Sequence, residues 1–147
     1  RAFHPLANWT IQWYAWDGAH DPAKDYHSFT RLFEKTPIYS VTAQKVDYTW
    51  WGSIGKNLPA DSFATVAVSK MMLKEGNYEL GITADDYVKL FIDDVEVIDA
   101  WDAKYTIYDE TTHHRRTVKL SSGEHSFRIV HAENKGLASL MFYINPE

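Results

Sequence analysis

Cysteine is missing from this chain of 147 residues. The protein can therefore form no disulfide framework, and it has no thiolate to bind a metal or to act as a nucleophile. Long hydrophobic runs are also missing, since none approaches the ~20 apolar residues of a membrane-spanning helix, so we expect no membrane insertion. No signal peptide is present, and the sequence begins at Arg1 without Met. We therefore expect an excised or processed piece of a longer protein.

An excess of positive charge is missing too. The chain carries 15 Lys and Arg against 20 Asp and Glu, which gives a net charge of −5. Nucleic acids and anionic membrane surfaces attract basic proteins, so neither is expected as a partner. The acidic balance fits a domain that holds a cation, or one that is simply soluble.

Motifs of catalytic machinery are the last absence. The sequence has no nucleophile elbow, no phosphate-binding loop and no zinc-protease helix motif. Asp85 and Glu133 could in principle flank a glycosidic bond, as the two carboxyl groups of a glycosidase do at about 5–9.5 Å from each other. Because none of the catalytic motifs is present, we expect that the chain is not an enzyme on its own.

What the sequence does contain is a series of short runs that alternate in polarity, as β-strands do. The strand candidates are "WTIQWYAW" (9–16), "SFATVAVSKMML" (62–73), "YELGI" (78–82), "VKLFI" (88–92), "VEVI" (95–98), "RRTVKL" (115–120), "HSFRIV" (125–130) and "LASLMFYI" (137–144). Such runs, separated by polar turns, predict an all-β antiparallel sandwich or barrel. We expect 1–147 to be one domain, with irregular stretches at 20–28, 36–40 and 52–61.

Aromatic residues are abundant, at 15% of the chain with six Trp. In "WTIQWYAW" they alternate between two faces. These faces could line a cleft, but aromatics at strand spacing are usually core residues. Trp50 and Trp51 are neighbours that face opposite ways in a strand, so at least one of them is expected to be buried.

Two Asp-Asp pairs stand out in "GITADDYVKLFIDDVEVIDAW" (81–101), because strands normally exclude Asp. Asp93 and Asp94 separate two strand candidates, which predicts a two-residue hairpin loop, since Asp tolerates the left-handed conformation. Asp85 and Asp86 have no Gly or Pro beside them to explain a turn. Either their carboxylates cap backbone N–H groups at a strand corner, or they hold a cation.

The order of several motifs resembles one known family. They are "DYTWWGSIGKNLPADSFATVAV" (47–68), "LKEGNYELGITADDYVKLFIDDVEVIDAW" (73–101) and "VKLSSGEHSFRIVHAENKGLASLMFYI" (118–144). From Val46 to Ile144 the chain resembles the PA14 domain, and before Val46 the resemblance is loose. It implies an antiparallel β-sandwich attached to glycosidases, adhesins, toxins or other secreted proteins. An extracellular or cell-surface location and neighbouring domains in the same chain are therefore expected.

The resemblance also implies a metal site. In carbohydrate-binding PA14 domains the adjacent Asp pair binds Ca²⁺ across a cis peptide, and the ion holds sugar hydroxyls. The matching residues here are Asp85 and Asp86. Because Ca²⁺ takes six to eight oxygen ligands, the loop "AENKG" (132–136) is expected to add Glu133 and Asn134. The implied partner is a glycan or polysaccharide.

Three further residues are candidates for sugar contact. Tyr87 stands where the family usually has Gly, and it could either crowd the ion or stack on a sugar ring. Trp101 and His113 are weaker candidates, and Trp101 also fits a core role. His113 and His114 suggest a transition-metal site at first sight, but adjacent His side chains diverge on a strand, so none is expected.

The sequence thus predicts a non-catalytic, Ca²⁺-dependent carbohydrate-binding module within a larger secreted or surface protein. The alternative is a structural or protein-interaction domain that binds no sugar.

Overall fold

The structure, a computed structural model, describes residues 7–15, 25–50, 63–85, 87–101, 112–133 and 138–147. Within these ranges the strands form two antiparallel sheets. The six-stranded sheet contains, in spatial order, β2 (Tyr39–Ala43), β1 (Trp9–Ala15), β4 (Phe63–Leu73), β9 (Gly123–Glu133), β6 (Tyr87–Ile92) and β7 (Val95–Ala100). The four-stranded sheet contains β3 (Asp47–Trp50), β10 (Ala138–Pro146), β5 (Gly76–Asp85) and β8 (Thr112–Leu120). The expected β-sandwich is confirmed.

Alternating side chains form the main core between the two sheets. Along β4 the odd-numbered residues 63–73 are buried, while the even-numbered residues 68, 70 and 72 are exposed. Trp9 and Trp13 are each 2% exposed and belong to this core, as aromatics at strand spacing predict. Trp16, Trp51 and the side chain of Trp50 lie outside the described residues.

A smaller cluster covers the outer face of the six-stranded sheet. It is built on α1 (Tyr26–Thr30) and the 3₁₀ turn that follows it, which bury Phe29 and Leu32 against the sheet. The Asp25 carboxylate caps α1 by accepting a hydrogen bond from the His27 N–H at 3.1 Å. The predicted irregular stretch 20–28 is therefore wrong from Tyr26 onward. Within the described ranges, no helix has the length and apolar character to cross a membrane.

We name one end of the sandwich the loop end, defined by Ala15, Phe63, Asp85, Tyr87 and Glu133. In the six-stranded sheet Ala15 pairs with Phe63, and Phe63 pairs with Glu133, so three strands terminate there in register. In the four-stranded sheet β5 terminates at Asp85, and a single residue separates it from the start of β6 at Tyr87. The strand ends of both sheets therefore meet at the loop end.

The opposite end carries the hairpin of Asp93 and Asp94. Both residues adopt a left-handed backbone, with φ of 51° and 64°, so the predicted two-residue hairpin is confirmed. The Asp93 carboxylate accepts hydrogen bonds from the Ser126 N–H at 2.9 Å and from His125 Nδ1 at 2.6 Å. His125 Nε2 lies 2.8 Å from the Ser121 carbonyl oxygen. Both ring nitrogens face acceptors, which suits the doubly protonated imidazolium.

The titration of this pair follows from its contacts. Burial lowers the pKa of His125, but the hydrogen bonds to Asp93 and Ser121 and the Asp93 charge outweigh it and raise that pKa above its ordinary value. Burial raises the pKa of Asp93, but the hydrogen bonds from Ser126 and His125 lower it overall. The stabilisation by His125 is lost as the pH rises through its raised pKa. The stabilisation by Asp93 is lost as the pH falls through its lowered pKa.

Replacing Asp93 by Asn should therefore destabilise the domain mainly in mild acid. Asn tolerates the left-handed turn and can still accept from the Ser126 N–H, so the substitution removes chiefly the charge. We expect a loss of about 1 kcal/mol at pH 5.5, because the Asp93 side chain is 46% exposed, and less at pH 8.5, where a smaller fraction of His125 is protonated. Urea denaturation at both pH values measures this. Asp94→Asn, in the same turn, should show no such difference, and an equal loss for Asp93→Asn at both pH values would contradict the assignment.

Candidate functional site

The Asp85–Asp86 step lies where the chain passes from one sheet to the other. Asp85 ends β5 in the four-stranded sheet, and Tyr87 begins β6 in the six-stranded sheet. The backbone of Asp85 pairs with Ser139, which is 2% exposed. Asp86 and the side chain of Asp85 lie outside the described residues. The backbone thus places this acidic step at the loop end.

Glu133 reaches the same end from the neighbouring strand. It is the last residue of β9, not part of the predicted loop, and it is 0% exposed. Tyr87 pairs with Ala132, one residue before Glu133, so by alternation the Glu133 side chain lies on the opposite face of the sheet, with its partner Phe63 toward the main core. A carboxylate that is fully removed from water is stable only when hydrogen bonds or a cation compensate its charge. Asn134 lies outside the described residues.

Polar side chains continue inward from Glu133. His131, two residues earlier on the same face of β9, is 0% exposed, and its Nδ1 lies 3.0 Å from Oγ1 of the fully buried Thr65. The core is therefore polar where it reaches the loop end. Sequence reasoning missed His131, although period-two alternation places residues 127–133 of odd number on one face.

The types of these residues suit a hard cation. Asp85, Asp86, Glu133 and Asn134 offer only oxygen and amide donors, and oxygen is the ligand that Ca²⁺ takes. Among the described side chains, no group of three or more His, Asp and Glu is arranged to hold a metal. Asp86, Asn134 and the side chain of Asp85 lie outside the described residues, so the predicted ligand set stays a prediction.

Tyr87 and Trp101 lie together on the outer face of the six-stranded sheet. Tyr87 is only 6% exposed, and its ring centroid is 5.4 Å from that of Trp101. Trp101 also contacts Tyr26 and Phe29, with centroids 4.8 and 5.3 Å away. Both rings thus belong to the small aromatic cluster beneath α1. Most of the Tyr87 ring is used in packing, which leaves little surface for a sugar.

His113 occupies a different surface, the outer face of the four-stranded sheet. Its exposed ring lies next to Thr83, with Nδ1 2.8 Å from Thr83 Oγ1. The neighbouring His114 is half-buried, and burial, with the charge of His113, lowers the pKa of His114. Thr83 stands two residues before Asp85 on β5, so His113 is close to the loop end along the strand but on the outer side of the sheet.

Comparison with known families decides the assignment. The PA14 domain model matches residues 23–146. The chain belongs to the PA14 domain family. The match begins earlier than the predicted resemblance, which covered Val46 to Ile144. No curated protein is a significant match to the chain.

Solved structures share the PA14 fold with this chain. The "PA14 sugar-binding domain from RTX adhesin" has a TM-score of 0.68 and 17% identity, covering 99% of this chain and 91% of that one. The Epithelial Adhesin 9 A domain of Candida glabrata, solved in complex with Galb1-3GlcNAc, has a TM-score of 0.62 and 12% identity over 99% of this chain and 88% of that one. A β-glucosidase of Kluyveromyces marxianus has a TM-score of 0.69 and 11% identity, and the match covers 95% of this chain but only 16% of the glucosidase.

Proposed function

We propose that this PA14 domain is a non-catalytic carbohydrate-binding module whose sugar site is at the loop end and depends on Ca²⁺. The observation that carries the proposal is the placement of the Asp85–Asp86 step. It connects the two sheets at the end where the buried carboxylate of Glu133 also lies. Sites for ligands are commonly built at such strand ends, where loops are held by a rigid scaffold.

Each proposed ligand has a distinct part in the site. Asp85 and Asp86 would bind the cation through their carboxylates, with Asn134 as a neutral oxygen donor. Glu133 would contribute a carboxylate that is already removed from water in the folded domain. Binding of Ca²⁺ would therefore require little further desolvation of this carboxylate. When bound, Ca²⁺ would offer coordination positions to a pair of vicinal sugar hydroxyls.

The proposed sugar contacts beside the ion are Tyr87, Trp101 and His113. The two aromatic rings are packed together, so they would touch a sugar by their edges more than by open faces. His113 would contact only a glycan long enough to extend from the ion onto the outer face of the four-stranded sheet. An exposed site of this kind buries little area, so affinities on the order of micromolar to millimolar are expected.

The comparisons support this proposal in two ways. Two structures with the same fold are described as a sugar-binding domain and as an adhesin domain in complex with a disaccharide. Both are adhesins, which supports an extracellular or cell-surface location. The glucosidase holds the fold as a small part of a long chain. We therefore propose that this domain too has neighbouring domains in its parent protein.

Binding to a glycan array, with and without chelator, tests the function. Binding should require Ca²⁺ and should disappear in Asp86→Ala. Asp94→Asn is the matched control, because it changes an acidic pair at the opposite end and should leave binding intact. Binding that survives both chelator and Asp86→Ala would place the site elsewhere. If no sugar binds under any condition, the domain is better described as a structural or protein-interaction module.

A further inference from the structure

The outer face of the four-stranded sheet carries an aromatic ring that lies across a glycine. Tyr143 on β10 pairs with Gly81 on β5. A Cβ atom placed on Gly81 would be 1.8 Å from Cε2 and 2.2 Å from Cζ of Tyr143. The ring therefore fills the space above Gly81, which only glycine leaves open.

This ring is held in place but stays accessible. The Tyr143 hydroxyl donates a hydrogen bond to Glu79 Oε1 at 3.1 Å, which fixes the ring at its outer edge. Tyr143 is nevertheless 39% exposed, among the more exposed large hydrophobic residues described. Covering a glycine accounts for the side of the ring that faces the sheet, and the 39% exposure shows that part of the rest contacts solvent.

A shallow cavity of about 210 Å³ lies beside the ring. Its lining includes Tyr143, Thr83, His113, His114 and Arg115. Pockets for drug-sized ligands are typically about 300 Å³ or more, so this cavity suits one small ring. Among the described lining residues Arg115 is the one that carries a full charge at neutral pH, and that charge is positive although the chain as a whole has a net charge of −5. The cavity therefore favours an anionic group.

We propose that this face is a second sugar-binding site, distinct from the loop end, for a pyranose that carries a carboxylate, such as a hexuronate unit of an acidic polysaccharide. The apolar face of the pyranose packs on the open side of the Tyr143 ring. The guanidinium of Arg115 binds the sugar carboxylate, a pairing for which its planar fork is suited. His113, held through its Nδ1 by Thr83, presents its other ring nitrogen to the ligand. No step of this binding uses Ca²⁺.

Amide NMR spectra of the intact chain, titrated in EDTA, test the proposal. The probes are methyl β-D-glucuronide and methyl β-D-glucoside, which differ only in the carboxylate. The chelator prevents sugar binding at a calcium-dependent site. A negative result in EDTA therefore contradicts only the second site and leaves the loop-end proposal untouched. We expect the glucuronide to shift the amide signals of Gly81, Thr83 and Tyr143, and to bind about tenfold more tightly than the glucoside.

Variants separate the two contributions. Arg115→Gln should weaken the glucuronide about tenfold and leave the glucoside unchanged. Tyr143→Leu, which still covers Gly81, should weaken both sugars, while Tyr143→Phe keeps the ring and should retain binding. Lys119→Gln is the matched control, because Lys119 is an exposed cation on the same strand and, by alternation, the same face as Arg115.

Several results would overturn the proposal. One is the absence of any amide shift on this face with the glucuronide at tens of millimolar. Another is an equal weakening by Lys119→Gln and Arg115→Gln, which would indicate general electrostatic attraction. A third is unchanged affinity in a Tyr143→Leu variant whose spectrum is that of the folded domain, since stacking on the ring would then contribute nothing.

Discussion

In millimolar Ca²⁺ the domain is expected to melt several degrees higher than in chelator. If the proposed ligands hold the ion only when folded, a concentration of a hundred times the dissociation constant stabilises the native state by about 2.7 kcal/mol. For a domain of this size, each kcal/mol raises the melting temperature by about 2–4 °C, so the shift should be roughly 5–10 °C. Calorimetry in CaCl₂ and in EDTA measures it. Mg²⁺ should give a smaller shift, because it demands a tighter octahedral shell.

Single substitutions show which carboxylates carry this response. Asp85→Asn should abolish the shift, and Asp94→Asn should keep it in full. Glu133→Gln should also lose the response, because it replaces a carboxylate ligand by a neutral group of the same shape. If instead Glu133→Gln destabilises the domain in EDTA and retains the shift, Glu133 is a structural residue. A melting curve indifferent to millimolar Ca²⁺ would mean that the Asp pair itself is structural.

The sequence predicted those strands whose inner residues are apolar and regularly spaced. In β4 every second residue is buried, so the period of two is visible without any tertiary information. The hairpin at Asp93 and Asp94 was equally readable, because few residue types tolerate two successive left-handed positions. These signals are local, and the chain carries them within ten or twelve residues.

Elements whose formation depends on tertiary contacts could not be predicted from the sequence. The strand β2 lies at the edge of its sheet, has only five residues and buries none of them fully, so its alternation is too short and weak to predict a strand. The helix α1 has only five residues, and its stability comes from Phe29 packing on the sheet. The helix α1 overlaps the stretch 20–28, and β2 overlaps the stretch 36–40, and both stretches were predicted to be irregular.

The candidate sites depend on long-range register, which no local pattern contains. The motif order indicated the acidic step at Asp85 and Asp86, with Glu133 as a further ligand, but not that Glu133 ends a strand and is fully buried. The contact of Tyr143 with Gly81 joins residues 62 positions apart in the chain. Such pairs form only when the strands align in the folded sheet. Their residues can therefore be identified in the sequence, but their contact cannot be predicted from it.

Trp101→Ala should destabilise the domain by about 3 kcal/mol. Truncating a fully buried Trp costs about 3–5 kcal/mol. Trp101 is only partly buried, so the expected loss of stability lies at the lower end of that range. Its ring contacts Tyr26, Phe29 and Tyr87 at centroid distances of 4.8–5.4 Å, so the loss would open a cavity beneath α1. Urea denaturation measures the change.

Two comparisons decide whether Trp101 has a structural or a sugar-binding role. Met72→Ala, at a position 65% exposed on the outer face of β4, should change stability by less than about 0.5 kcal/mol. Trp101→Phe keeps an aromatic ring in the cluster, so it should cost less stability than Trp101→Ala, and it should change glycan affinity only slightly because the ring would touch a sugar by its edge. If Trp101→Phe instead weakens glycan binding about tenfold with little loss of stability, the indole itself contacts the sugar. The outer-face cluster would then extend the proposed sugar site at the loop end, because Tyr87, which packs against Trp101, directly follows Asp86 in the chain.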